Sequence, residues 1–262
     1  MRARVVETRR GAKVHVREAG AGVPLVFLHG AGGLFAENRF LEQLGEHFHV
    51  FAPAWPGYGE SVGEELLEDM LDFTLHGWDV VDALGLERPH LVGHSMGGMI
   101  AAEMACVAPR DVGRLVLVAA AGLWLDDDPI PDLFSLLPEH LPPLLSHDPA
   151  VATRLLTGGV DFDDPKALET FLITNARQLG TAGKILFPIP DRRLAKRLYR
   201  LRAPTLVIWG AEDRLIPPVY AAYWRRLVPS AEEVVIPEAG HMLAYERPEP
   251  FVEAVAGFLA RA

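Results

Sequence analysis

At 262 residues and 50% hydrophobic content the chain can enclose a full core and sits at the upper end of single-domain size. A net charge of -10 and a pI near 5.5 argue against nucleic acid or an anionic membrane as partner. The single cysteine, Cys106, excludes an internal disulfide and is expected as a packed core thiol; with no run long enough to span a bilayer, a cytoplasmic protein is expected.

Taken in order, residues 4–8 and 13–17 alternate polar and apolar side chains around Arg10-Gly11, a hairpin signature. The unbroken apolar run 23–28 predicts a strand covered on both faces, followed by a small-residue loop, HGAGG at 29–33. A short amphipathic helix is expected over 40–48, a strand over 49–52, a turn-rich loop over 53–61 and a helix over 66–84. His47 and His49 have no evident cysteine or carboxylate partners and are read as structural, so no metal and no cofactor are assigned. The run 89–92 predicts a strand, 99–107 a helix and 115–119 another strand. This alternation specifies an α/β fold, a mostly parallel sheet flanked by helices.

The rhythm breaks between 122 and 200. Leucine- and proline-rich segments and a helix over 167–178 occur there without strands, and Arg192, Arg193, Arg197 and Arg200 read as the wet face of a helix. The expected division is a core of 1–121 and 201–262 with a helical cap of 122–200. The sheet resumes at 205–209, with a helix over 219–227, a strand over 233–236 and a closing helix over 250–260.

The strand before residue 93 and the helix after it frame Gly93-His94-Ser95-Met96-Gly97, a Gly-x-Ser-x-Gly pattern. A strand that becomes a helix within one residue strains the turning residue and holds its hydroxyl in the open, at a helix N-terminus that favours negative charge. A serine nucleophile needs an adjacent base, and the base needs a carboxylate to orient it. His241 and Asp213 lie in loops after the last two predicted strands, which a parallel sheet delivers to the same edge as Ser95. Glu212 and Glu238 are the neighbouring acidic alternatives, ranked below Asp213. Backbone amides of Met96 and Ala31, with Gly32 as fallback, are expected to hold a developing oxyanion. His29 is expected to orient its loop.

With these residues in place, the chain resembles the α/β-hydrolase family over nearly its whole length. The matching motifs are HGAGG at 29–33, PGYGES at 56–61, GHSMGG at 93–98, WGAEDRLIP at 209–217 and GHMLAYERP at 240–248. The resemblance implies Ser95 as nucleophile, Asp213 and His241 as acid and base, and a helical cap. Ala54 departs from the aspartate that relatives often carry before the Pro-Gly turn. Relatives with an aspartate nucleophile, the dehalogenases and epoxide hydrolases, are disfavoured by Ser95. Two branches remain: serine carboxylesterases, and C–C bond hydrolases of aromatic ring-fission products. The latter usually carry tryptophan after the histidine and asparagine before the serine, where this chain has Met242 and His94.

The expectation is therefore a cofactor-free esterase, monomeric or homodimeric, acting on a small-molecule ester with a short- to medium-chain acyl group. Gly32, His94, Phe134, Leu137, Phe171, Phe187 and Met242 are expected to line its substrate site. A C–C hydrolase would use Arg177 for a substrate carboxylate, although an exposed helix position is the plainer reading of that residue. A ligand receptor of the same fold, turning over slowly, is the rival outside the enzymes.

Overall fold

Eight strands, the central ones built from runs of Val, Leu and Ile, form one sheet in a computed structural model describing residues 1–188 and 191–261. Ile189 and Pro190 of the expected cap and Ala262 of the expected core lie outside the described residues. The strands are β1 (Arg2–Glu7), β2 (Lys13–Ala19), β3 (Pro24–Leu28), β4 (His49–Pro53), β5 (His90–His94), β6 (Leu115–Val118), β7 (Thr205–Gly210) and β8 (Glu232–Ile236), ordered β1-β2-β4-β3-β5-β6-β7-β8. The β1–β2 and β2–β4 pairs are antiparallel and the rest parallel. From β3 the chain steps outward to β4 and then returns to place β5 on the other side of β3. That reversal opens a crevice beyond the carboxyl ends of β3 and β5, where sheets of this kind place their sites.

The helices over the sheet are α1 (Arg39–Leu44), α2 (Met70–Ala83), α3 (Met96–Val107), α4 (Leu141–Leu145), α5 (Pro149–Thr157), α6 (Pro165–Leu186), α7 (Val219–Leu227), α8 (Leu243–Glu246) and α9 (Pro248–Leu259). α3 is buried nearly all round, as its Ala- and Met-rich sequence demands, and Cys106 on it is a buried core thiol. Its Glu103 is also buried and meets Arg197, while Arg200 donates to the Cys106 carbonyl at 2.6 Å. The arginine cluster is thus not one wet helical face: two short 3-10 turns, Leu194–Lys196 and Leu198–Arg200, turn two of its members onto α3.

Helix α6 begins earlier and ends later than its sequence pattern suggests. Asp164 caps it by accepting from the Lys166 amide at 2.9 Å, with Pro165 in the first turn. It runs past Gly180 and Gly183 because Thr181, Ala182 and Ile185 bury one face. α1 is shorter than expected and stops at Leu44, with Gly45 as its cap.

The packing under α3 leaves no room for a side chain at its glycines. A Cβ on Gly93 would collide with the Gly97 backbone, and one on Gly97 with the backbone of Leu28 and His29 at the end of β3. A Cβ on Gly257, on the exposed side of α9, would meet nothing. Gly97→Ala should therefore destabilise the fold by about 3 kcal/mol or more. Gly257→Ala should stabilise it by about 0.5–1 kcal/mol through helix propensity. Thermal unfolding of both variants checks the pair; a Gly97→Ala protein as stable as the parent contradicts this packing.

Candidate active site

Ser95 is the hinge between β5 and α3, with φ 54 and ψ -116. For a residue with a side chain this conformation stores strain on the order of 1–3 kcal/mol, and its neighbours must enforce it. They do so through the backbone. The Ser95 amide donates to the Val118 carbonyl at 2.9 Å, and its carbonyl accepts from Gly98, Met99 and Ala121. The amide of Met96 opens the helix and has no carbonyl one turn back to bond.

Register brings the loop after β3 to the same place. Leu28 pairs with Gly93, so His29 and Gly30 run beside His94 and Ser95. A Cβ on Gly30 would sit 3.1 Å from the Ser95 Cβ. The Trp55 amide donates to His29 Nε2 at 3.1 Å, which leaves Nδ1 carrying the proton and donating to the Gly30 carbonyl at 2.8 Å. His29 is thus a neutral strut orienting the loop, and burial pushes its pKa down to about 4. The Tyr58 hydroxyl adds a second tether, donating to the Ala31 carbonyl at 3.0 Å, and the Tyr58 ring stacks edge-on against His29. Tyr58 lies within the PGYGES motif at 56–61, and nothing in that motif by itself marks its hydroxyl as a tether.

Asp213 and His241 meet. His241 Nδ1 donates to Asp213 Oδ2 at 2.8 Å, and both side chains are almost wholly buried. Asp213 Oδ1 accepts from the amides of Leu215 and Ile216 at 3.0 and 2.8 Å, which fixes the carboxylate in place. A neutral imidazole that donates through Nδ1 presents a bare lone pair on Nε2. The two acidic alternatives are engaged elsewhere: Glu212 bonds His147 Nδ1 at 2.6 Å and Glu238 pairs with Arg247.

The expected lining residues do not come together as one group. The Phe134 and Phe187 rings lie 6.0 Å apart, with Phe187 and Leu137 both exposed. Phe171 packs on Phe162 near the other end of α6. Sixteen residues separate Phe171 from Phe187, about 24 Å of helix, so the two cannot share a small pocket. Gly32 is exposed and lies against the Phe35 ring. Met242 is buried, its amide bonded to the Leu145 carbonyl at 2.9 Å. His94 commits Nε2 to the carbonyl of His241 at 2.8 Å.

Arg177 is half-buried and already engaged by the core. Its Nε and a terminal nitrogen grip Glu64 at 2.7 and 2.9 Å, and it also donates to the carbonyls of Gly59 and Ser61. His49, unlike the expectation from sequence, does have a carboxylate partner. Glu18, buried and 31 residues away in sequence, bonds its Nε2 at 2.6 Å and also meets Arg2.

Residues 25–254 match the model of the alpha/beta hydrolase family, and the chain belongs to that family. It is 32% identical over 252 residues to the dihydrolipoyllysine-residue acetyltransferase component of an acetoin cleaving system from Pseudomonas putida. That match takes in 92% of this chain but spans only 64% of the relative. It is 26% identical over 272 residues to the 2-hydroxy-6-oxononadienedioate/2-hydroxy-6-oxononatrienedioate hydrolase of Comamonas testosteroni, with 95% of this chain and 91% of that one covered. A solved membrane phospholipase A superposes with a TM-score of 0.78 at 27% identity, over 98% of this chain and 85% of that one. Among the described residues no helix is long and apolar enough to cross a membrane.

Three buried histidines give the fold a pH signature. Burial lowers the pKa of His29 and His76 to about 4 and of His94 to about 3, so all three are neutral when folded. The unfolded chain takes up these protons near the ordinary pKa of about 6.5. Stability is therefore complete above pH ~6.5 and falls on acidification toward pH ~4, by up to about 1.4 kcal/mol per pH unit per group. Burial also raises Glu246 and Asp79, which offsets part of that loss. The melting temperature should be clearly lower at pH 5 than at pH 7; an unchanged or higher value at pH 5 contradicts the neutral-histidine account.

Proposed function

We propose that this chain is a serine hydrolase that cleaves carboxylic esters with short- to medium-chain acyl groups through an acyl-enzyme. The observation that carries the reading is one sheet edge holding both a strained Ser95 at a helix N-terminus and a His241 whose Nδ1 is tied to Asp213.

In this reading His241 Nε2 takes the Ser95 proton as Oγ attacks the ester carbonyl, and Asp213 steadies the imidazolium that forms. The oxyanion is received by the amides of Met96 and Ala31, the latter fixed through its own carbonyl by Tyr58. His241 returns the proton to the leaving alkoxide. Water then enters, His241 takes its proton in turn, and hydroxide attack on the acyl-enzyme frees the acid and restores Ser95.

Residues 122–200 serve in this proposal as a cap over the core of 1–121 and 201–262. Support comes from the Arg177–Glu64 and Arg154–Glu37 ion pairs and from the Leu145–Met242 bond, all of which fasten that segment to loops of the core. Ser95 is only 9% exposed, as a capped nucleophile would be.

A second reading, C–C bond cleavage, is favoured by the relationship to the Comamonas testosteroni hydrolase. Two observations weigh against it. The arginine assigned to a substrate carboxylate is already paired with Glu64 and bonded to two carbonyls, and the residue after His241 is methionine. The likeness to a phospholipase A weighs in favour of esters.

Hydrolysis of p-nitrophenyl esters from acetate to palmitate should peak at short or medium chains. Ser95→Ala should lower kcat by about a thousand-fold or more. Turnover of a ring-fission dienoate but of no ester, lost in Arg177→Ala, would replace this reading with the second. Full ester hydrolysis by Ser95→Ala would end both.

A further inference from the structure

His94 stands next to the nucleophile in the chain, yet its ring is turned toward the base. Its Nε2 lies 2.8 Å from the His241 carbonyl oxygen, and the two rings are 5.0 Å apart between centroids. A carbonyl only accepts, so Nε2 carries the proton and Nδ1 the lone pair. Burial pushes the His94 pKa down to about 3, which keeps this tautomer neutral. On its other side Nδ1 lies 3.2 Å from where a Cβ on Gly30 would sit, so the ring wedges between the loop after β3 and the loop bearing the base.

The His241 loop is held at several points. Asp213 holds the ring, Glu246 takes the Gly240 amide at 2.7 Å, the Glu212 amide donates to the Ala239 carbonyl at 2.9 Å, and the Met242 amide reaches Leu145 in the segment between β6 and β7. None of these sets how far the base stands from the nucleophile. Among the described residues, the bond from His94 is the one hydrogen bond that joins residues 237–242 directly to the elbow 93–98.

We propose that His94 is a positioning residue that fixes the distance and orientation of His241 relative to Ser95, through its Nε2–H bond to the His241 carbonyl. The proposal rests on the reading of Ser95 as nucleophile and His241 as its base, and is independent of which bond the enzyme cleaves. Proton transfer demands hydrogen-bond geometry, and a displacement on the order of 1 Å costs up to about a hundred-fold in rate. Nothing in this role touches the acyl or leaving group, so substrate affinity stays out of it.

Two variants separate positioning from space filling. His94→Gln keeps an N–H near the place of Nε2, and His94→Leu keeps bulk without a donor. The primary readout is the second-order rate of Ser95 phosphonylation by a fluorophosphonate, which requires an activated serine and no knowledge of the substrate. For any ester turned over, kcat and KM are measured beside it. His94→Leu should react about ten- to a hundred-fold more slowly and lose kcat in parallel, with KM within about two-fold. His94→Gln should recover most of the loss. A His94→Leu enzyme that labels at the parent rate overturns the proposal, and so does a His94→Gln enzyme as slow as His94→Leu. Parent protein that does not label at all overturns the nucleophile reading and this proposal together. Parent protein that labels but cleaves no ester removes only the ester assignment.

Discussion

The site depends on how closely α3 approaches the end of β3. Gly97 lies against the backbone of Leu28 and His29, leaving no space for a side chain, and Gly93 lies against Gly97 in the same way. Because the helix is drawn this close to the strand, the chain must reverse within a single residue, and that residue is Ser95 at positive φ. The same approach presses Gly30 against the Ser95 Cβ, so the elbow and the loop proposed to hold the oxyanion are set by one contact. Strain at Ser95 is then a product of packing, distributed over the parallel strands β3, β5 and β6 and held by bonds to Val118 and Ala121.

Three histidines around this contact each have a tautomer dictated by their partners, and each does something different with it. His29 receives an amide proton on Nε2 and supports Gly30 with Nδ1. His94 gives its Nε2 proton to a carbonyl. His241 gives Nδ1–H to Asp213 and keeps Nε2 bare. Two rings are locked as neutral struts by burial and hydrogen bonding, and one is left with a basic lone pair, which is the asymmetry a general base requires.

Much of this was legible in the sequence, for reasons that can be named. The strands 205–210 and 115–118 are runs of β-branched and leucine residues with one possible reading, and the helix Val219–Leu227 has clear punctuation at both ends. That Asp213 and His241 meet follows from parallel strands delivering their loops to one edge. What could not be read was where side chains turn. His94 adjoins Ser95 in sequence, but adjacency does not say which way a ring faces. Glu18 finds His49 across 31 residues, and Arg197 finds Glu103 across 94. Helix length separates two of the expected lining residues: with α6 running to Leu186, Phe171 lies in its first half and Phe187 just past its end. The Asp164-Pro165 cap was available as a start signal, whereas its C-terminal end was set by burial that only the fold supplies.

In the proposed mechanism Ser95 becomes covalently acylated by virtue of His241 and Asp213. The most direct test is to quench the enzyme in acid during turnover of p-nitrophenyl acetate and map the adduct by peptide mass spectrometry. One acetyl group is expected on the peptide carrying Ser95, formed at the rate of the initial nitrophenol burst and absent from an Asp213→Ala, His241→Ala double variant. An acetyl group on any other residue, or burst kinetics undisturbed in the double variant, would contradict it.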